Sequence, residues 1–149
     1  MRAVYTHSSS NTPEEDAKKR LNYWAKSKDF MEKKNDACLF GRNTYPTDKP
    51  EPDGYEFYLT VDNDREIRGD AEIREIPAGL YAVLRFKNLN KIREAWEKLW
   101  KWFENSEYMS IDWRKSEYGW IDGFEEQVNW QEEKPQTEWI FDLWVQIKE

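Results

Sequence analysis

The spacing of apolar residues changes several times along this chain, and each change marks a predicted element. Arg2 to His7, with Ala3-Val4-Tyr5-Thr6 at its centre, predicts a short strand. Ala17, Leu21, Trp24 and Met31 then recur at helical spacing and predict an amphipathic helix. Thr12 stands where a cap belongs, Pro13 takes the first helical position, and Glu15 completes a capping box. Ala37 to Gly41 and Tyr55 to Val61 read as strands. In the second of these, Tyr55, Phe57, Leu59 and Val61 alternate with polar residues, the pattern of a half-buried strand. Asn43 to Gly54 between them carries Pro46, Pro50 and Pro52 and reads as a loop.

Asp62 to Asp70 is a charged connection. Ile73 and Ile76 lead to a Pro77-Ala78-Gly79 turn and a strand from Leu80 to Phe86. A second helix is predicted from about Lys91 to Glu104, with Ile92, Ala95, Trp96, Leu99 and Phe103 on one face. Trp100 and Trp102 fall on opposite flanks, so one of them should reach a groove edge. Trp120 to Asn129 and Thr137 to Lys148 read as the last two strands, the latter with Trp139, Phe141, Leu143, Val145 and Ile147 on one face.

Strand, helix, strand, strand thus occurs twice. Ala3-Val4 and Ala82-Val83 occupy corresponding points, each ahead of a tryptophan-bearing helix. The expectation is one α+β domain over 1–149, a duplicated β-α-β-β fold with halves at about 1–62 and 72–149. Two such halves would form a curved antiparallel sheet with two main helices and a central cleft, a natural ligand site.

Composition sharpens this picture. Nine tryptophans stand among 149 residues, and aromatic residues make up 16% of a chain that is only 38% hydrophobic. The apolar surface is concentrated in large flat rings, which fill cores but also line pockets for flat or cationic ligands. The net charge of −7 argues against nucleic acid or anionic membrane as the main partner. No stretch approaches the roughly 18 apolar residues of a membrane span, and Met1 to Ser10 has no apolar core of a signal peptide. Cys38 is the only cysteine, so no internal disulfide forms and a cytoplasmic location is expected. His7 is the only histidine, which disfavours a zinc site or a Ser-His-Asp arrangement; no metal and no cofactor are expected.

Arg-Glu-Ile-Pro-Ala-Gly-Leu-Tyr-Ala-Val (74–83), the helix with Ala95-Trp96 and Trp100, Ser106-Glu107-Tyr108, Gly123-Phe124-Glu125 and the closing Asp142-Leu143-Trp144-Val145-Gln146-Ile147-Lys148 together resemble the GyrI-like small-molecule-binding domain. Leu39-Phe40-Gly41 and Tyr55-Glu56-Phe57 fit its first half. This is the effector-binding module of AraC- and MerR-type regulators, also found alone. The resemblance implies an aromatic cleft with a glutamate at its floor that meets cationic or polar ligands. The family pattern there is Phe-Glu-x-Tyr; here Phe124-Glu125-Glu126-Gln127 gives Glu125 the glutamate position and puts Gln127 in place of the tyrosine. The full regulators carry a DNA-binding region ahead of this module, whereas this chain opens on the module's first strand. Direct nucleic-acid contact is therefore not expected, and a regulatory role would involve a separate regulator protein. Some stand-alone relatives are thought to hydrolyse cyclopropane-bearing natural products with a pocket carboxylate.

The candidate ligand-binding residues are Glu125, Gln127, Trp24, Trp96, Trp100, Trp139, Tyr55 and Phe57, each weighed against a plain core or surface role. A carboxylate in an aromatic cleft loses hydration, and an entering cation restores a partner. Strand alternation puts Glu125 with Gln127 and turns Glu126 to the other face with Phe124 and Val128. Tyr5, Tyr55 and Tyr81 are candidates to send hydroxyls to the cleft. Trp113, Trp120 and Trp130 would form a lid, a partner patch or local packing. Cys38 is read as a small buried hydrophobe and His7 as a surface residue. Three functions remain in view. The first is a binding protein for hydrophobic, cationic or polycyclic small molecules, serving sensing, sequestration or drug resistance. The second is a hydrolase with Glu125 as the catalytic group. The third is a homodimeric interaction domain.

Overall fold

The computed structural model describes residues 1–27, 37–44, 51–62, 72–111, 123–128 and 133–148. Met31 and the tryptophans at 113, 120 and 130 lie outside these, as do parts of the Asn43–Gly54 loop and of the charged connection after Asp62. The chain forms two compact units, Met1–Ala78 and Gly79–Glu149. The described elements run β1 (Arg2–Ser8), α1 (Pro13–Ser27), β2 (Leu39–Thr44), β3 (Gly54–Thr60), β4 (Glu72–Glu75), β5 (Tyr81–Lys87), α2 (Ile92–Glu104), β6 (Phe124–Gln127) and β7 (Ile140–Gln146). The fold is α+β with antiparallel pairing throughout, and the expected duplicated order is present.

In the first unit β3 lies between β1 and β2, with Val4 opposite Leu59 and Gly41 opposite Phe57. The α1 helix opens on Pro13 with Glu14, Glu15 and Asp16 in its first turn, where carboxylates offset the positive end of the helix dipole. The Thr12 hydroxyl meets the Asp16 carboxylate at 3.3 Å, so the residue it reaches lies one position beyond the expected Glu15. Ala17, Leu21 and Ala25 are buried along α1, and Thr6 Oγ1 donates to the Ala17 carbonyl at 2.9 Å. This bond turns the face of β1 and β3 that carries Val4, Thr6, Phe57 and Leu59 toward the helix.

The half-buried reading of β3 needs correction: Gly54 through Leu59 are all buried. The face away from α1 carries Glu56 and Tyr58, and burial is permitted there because the polar groups are satisfied. Glu56 takes the Arg42 guanidinium of the adjacent strand and accepts from the Tyr58 hydroxyl at 2.8 Å. Tyr5 packs on Tyr58 at 5.2 Å, and Arg74 lies 3.7 Å above the Tyr5 ring. That arginine belongs to β4. Residues 72–75, grouped with the second half on sequence, pair antiparallel with the outer edge of β1, with Val4 opposite Ile73.

In the second unit β7 lies between β5 and β6; Leu84 faces Leu143 on one side and Glu125 faces it on the other. Ala95 and Leu99 of α2 pack with Leu143 and Val145, flanked by Ala82, Leu84, Phe86, Trp96 and Phe103. Burying side chains the size of Leu99, Leu143 and Val145 stabilises by about 1.5–3 kcal/mol each. The last predicted strand starts later than expected, because Gln136–Glu138 form a single 3-10 turn ahead of Ile140.

Candidate functional site

Glu125 sits in the middle of β6, and the two-residue strand repeat settles where it points. Its register partner Leu143 belongs to the face that packs on α2. The Glu125 carboxylate accepts a hydrogen bond from Trp96 Nε1 of α2 at 3.0 Å. Glu126 turns to the opposite face and accepts from Trp144 Nε1 at 3.0 Å. The alternation expected from sequence is therefore the one observed.

Trp96 carries a second ring with it. Four positions along the helix, Trp100 stacks on Trp96 with centroids 6.2 Å apart and planes 20° from parallel, and also meets Phe103 at 5.7 Å. An indole donor therefore orients the carboxylate while two indole planes stand side by side. Gln127 shares the helix-facing side of β6 and is buried opposite Phe141. Trp139 lies at the entry to β7, where its ring nitrogen donates to the Lys134 carbonyl at 2.9 Å and its ring meets Phe141 at 6.2 Å. Of the candidates in this unit, the structure joins Glu125 to Trp96 and Trp100, sets Gln127 on the same strand face, and ties Trp139 to the turn before β7.

Trp24, Tyr55 and Phe57 belong to the first unit. Phe57 is wholly buried and packs at 5.0 Å on Tyr55, which is itself buried. The Tyr55 ring fills the space a side chain would take at Gly41; a Cβ there would meet its hydroxyl at 2.5 Å. Trp24 is half-buried on α1. Cys38 is half-buried instead of wholly buried. His7 is half-buried too, its Nε2 lying 3.1 Å from Thr44 Oγ1, where a surface position was expected. Trp113, Trp120 and Trp130, read as lid or patch, lie outside the described residues. Among the described residues no group of His, Cys, Asp and Glu is arranged to hold a metal ion.

One cavity of about 500 Å³ lies in the second unit and contains none of the predicted ligand residues. It sits between β5 and the flank of α2 that carries Lys98 and Trp102. The sequence held one signal for it, the placing of Trp100 and Trp102 on opposite flanks of the helix. Trp102 stacks on Tyr108 at 5.7 Å, 13° from parallel, on the opposite flank of the helix from the Trp96–Trp100 pair.

Chemically, the Glu125 arrangement offers an oriented carboxylate and apolar planes, which suits recognition of a charged or polar group on a flat ligand. Among the described residues no helix is long and apolar enough to cross a membrane.

Known structures share this architecture. An uncharacterized conserved protein from Listeria innocua superimposes with a TM-score of 0.66 at 8% identity, over 99% of this chain and 88% of that one. The MerR-family regulator EcmrR, in a complex with DNA, superimposes with a TM-score of 0.63 at 15% identity; 99% of this chain is covered and 55% of that one, so this chain spans about half of EcmrR. At such identities the likeness shows the fold alone. No curated protein sequence matches the chain. The family profile described as GyrI-like small molecule binding domain matches residues 1–148, and the chain belongs to that family.

Proposed function

We propose that this domain binds hydrophobic small molecules that are cationic or polycyclic, in the cytoplasm, for sensing, sequestration or resistance. The observation that supports this most directly is the Glu125 carboxylate held by Trp96 Nε1 beside the Trp96–Trp100 stack. A family of small-molecule-binding domains supplies the context. The indole N–H donates to the carboxylate and fixes its orientation beside the ring faces. A cation over an indole face gains about 0.5–2 kcal/mol, more as water is excluded. Ring area then supplies affinity and Glu125 supplies selectivity for charge.

The test is a titration of lipophilic quaternary ammonium compounds and neutral polycyclic compounds against wild type and Glu125→Gln. Tryptophan fluorescence and thermal stability are followed together. The expected result is saturable quenching with a rise in melting temperature, stronger for the cations, and a preference for cations that falls about tenfold in the variant, equivalent to roughly 1.4 kcal/mol. If no compound moves either signal, the reading fails. Product analysis of the same mixtures separates binding from hydrolysis.

A further inference from the structure

The duplication exposes a difference between the two units. In the first, β4 runs along the outer edge of β1. In the second, β5 holds the position of β1, and among the described residues its outer edge has no strand in the place of β4. The cavity of about 500 Å³ opens beside this edge. Its floor is Leu99 with Ala82 and Leu84, the lining residues of β5 that face α2, and its wall is the Trp102–Tyr108 stack. Leu80 and Val83 at its rim are half exposed, at 51% and 46%.

The polar groups in this cavity differ in sign from those around Glu125. Lys98, one helical turn before Trp102, is the only charged side chain of its lining among the described residues. Ring faces and one ammonium complement a flat apolar body that ends in an acidic group. The volume lies within the roughly 300–1,000 Å³ typical of small-molecule sites. Helical geometry keeps the two regions apart, since Lys98 and Trp102 lie on one side of the Ala95–Leu99 face and Trp96 and Trp100 on the other.

We propose that the groove between β5 and α2 is a second ligand site, for small aromatic carboxylates, independent of the Glu125 region and not resting on its assignment. Lys98 receives the carboxylate, and the Trp102–Tyr108 stack and Leu84 hold the ring.

Three probes with one ring test this by calorimetry: indole-3-acetate, indole-3-acetamide and tryptamine, which are anionic, neutral and cationic. Lys98 is exposed, so its charge is worth a modest factor; the expected preference for the acetate over the acetamide is about two- to fivefold. Lys98→Met should abolish that preference and leave acetamide binding unchanged. Trp102→Ala should weaken the acetate and the acetamide alike, and Glu125→Gln should alter neither. In spectra of the ¹⁵N-labelled protein, the Trp102 indole signal should shift with the acetate. The proposal is overturned if none of the three binds saturably, if tryptamine binds best in the Glu125→Gln variant, or if the acetate preference survives Lys98→Met. Loss of acetate binding in Glu125→Gln overturns it as well, by placing the ligand on the other side of α2.

Discussion

Glu56→Gln is the most demanding test of how the first unit is held together. Glu56 is 2% exposed and its partner Arg42 about 10%, so this ion pair is shielded from water. The substitution keeps size and leaves an oxygen that still accepts from Tyr58, so packing and one hydrogen bond survive. What disappears is the negative charge beside a buried guanidinium. Removing one member of such a pair costs about 3–5 kcal/mol, because the other is left in a poorly solvating medium. With shape and one acceptor conserved, the expected loss is near the low end, about 3 kcal/mol, read as a fall in the urea midpoint at unchanged slope. Replacing both residues, with Arg42→Met added to Glu56→Gln, removes both charges and should be less harmful than the single change. A single variant within about 1 kcal/mol of wild type, or a double variant worse than the single, would refute the reasoning.

The same substitution has a signature at alkaline pH. Burial, then the charge of Glu56, pushes the Tyr58 and Tyr5 hydroxyls well above the ordinary tyrosine value. A folded-state pKa raised in this way leaves stability intact below the unfolded value of about 10, and stability is lost as pH rises from there toward the folded value. Glu56→Gln removes one of the causes, so its folded tyrosines should ionise at lower pH. Wild type should therefore lose more stability between about pH 10 and pH 11 than the variant does. Phenolate absorbance and urea midpoints across that range report both effects.

Two further outcomes follow from local geometry. Gly123 has φ of +156°, and a Cβ there would meet the Trp144 carbonyl at 2.7 Å and Trp96 Cη2 at 2.8 Å. Gly123→Ala should therefore cost about 1–3 kcal/mol and alter the near-ultraviolet circular dichroism of Trp96; unchanged stability and spectrum would contradict it. On the exposed side of α2, Arg93 and Glu97 form an i,i+4 pair at 3.4 Å with both side chains largely in water. Glu97→Gln should change unfolding free energy by less than about 0.5 kcal/mol, in contrast to the buried pair.

The helices, the order of elements along the chain and the duplication were legible because each depends on periodicity, and tertiary contacts reinforced that pattern. The face assignment of Glu125 and Glu126 followed from the two-residue strand repeat alone. Other features were hidden for physical reasons. Glu56 reads as one of 30 acidic residues until the register sets it beside Arg42, a pairing across strands with no local trace. The short β4 has Ile73 as its only apolar residue, and its pairing with β1 is a contact between residues some seventy positions apart. The cavity beside β5 depends on what does not cover an edge, and a sequence pattern does not encode that. Trp102 and Trp100 look alike on a helical wheel; which ring meets Tyr108 depends on the path of the chain after α2.

The exposure of the α2 indoles leads to one more prediction. The helix meets its core with Ala95 and Leu99, which are 5% and 3% exposed. Its larger rings stand off that face: Trp100 is 37% exposed and Trp102 43%. Were these rings present for stability, burial would follow size, since transfer free energy scales with apolar area removed from water. The reverse holds. Leu99→Ala should cost about 2–5 kcal/mol, because it opens a cavity against Leu143 and Val145. Trp100→Ala deletes a larger side chain, yet it loses only partial burial and its stacking on Trp96 and Phe103, the latter worth about 0.5–1.5 kcal/mol per pair. It should therefore cost less than Leu99→Ala, while reducing the affinity for flat ligands on the Glu125 side. If Trp100→Ala proves the more destabilising of the two, or leaves affinity for those ligands untouched, the ring serves the fold and the case for an aromatic recognition surface on that flank of α2 falls with it.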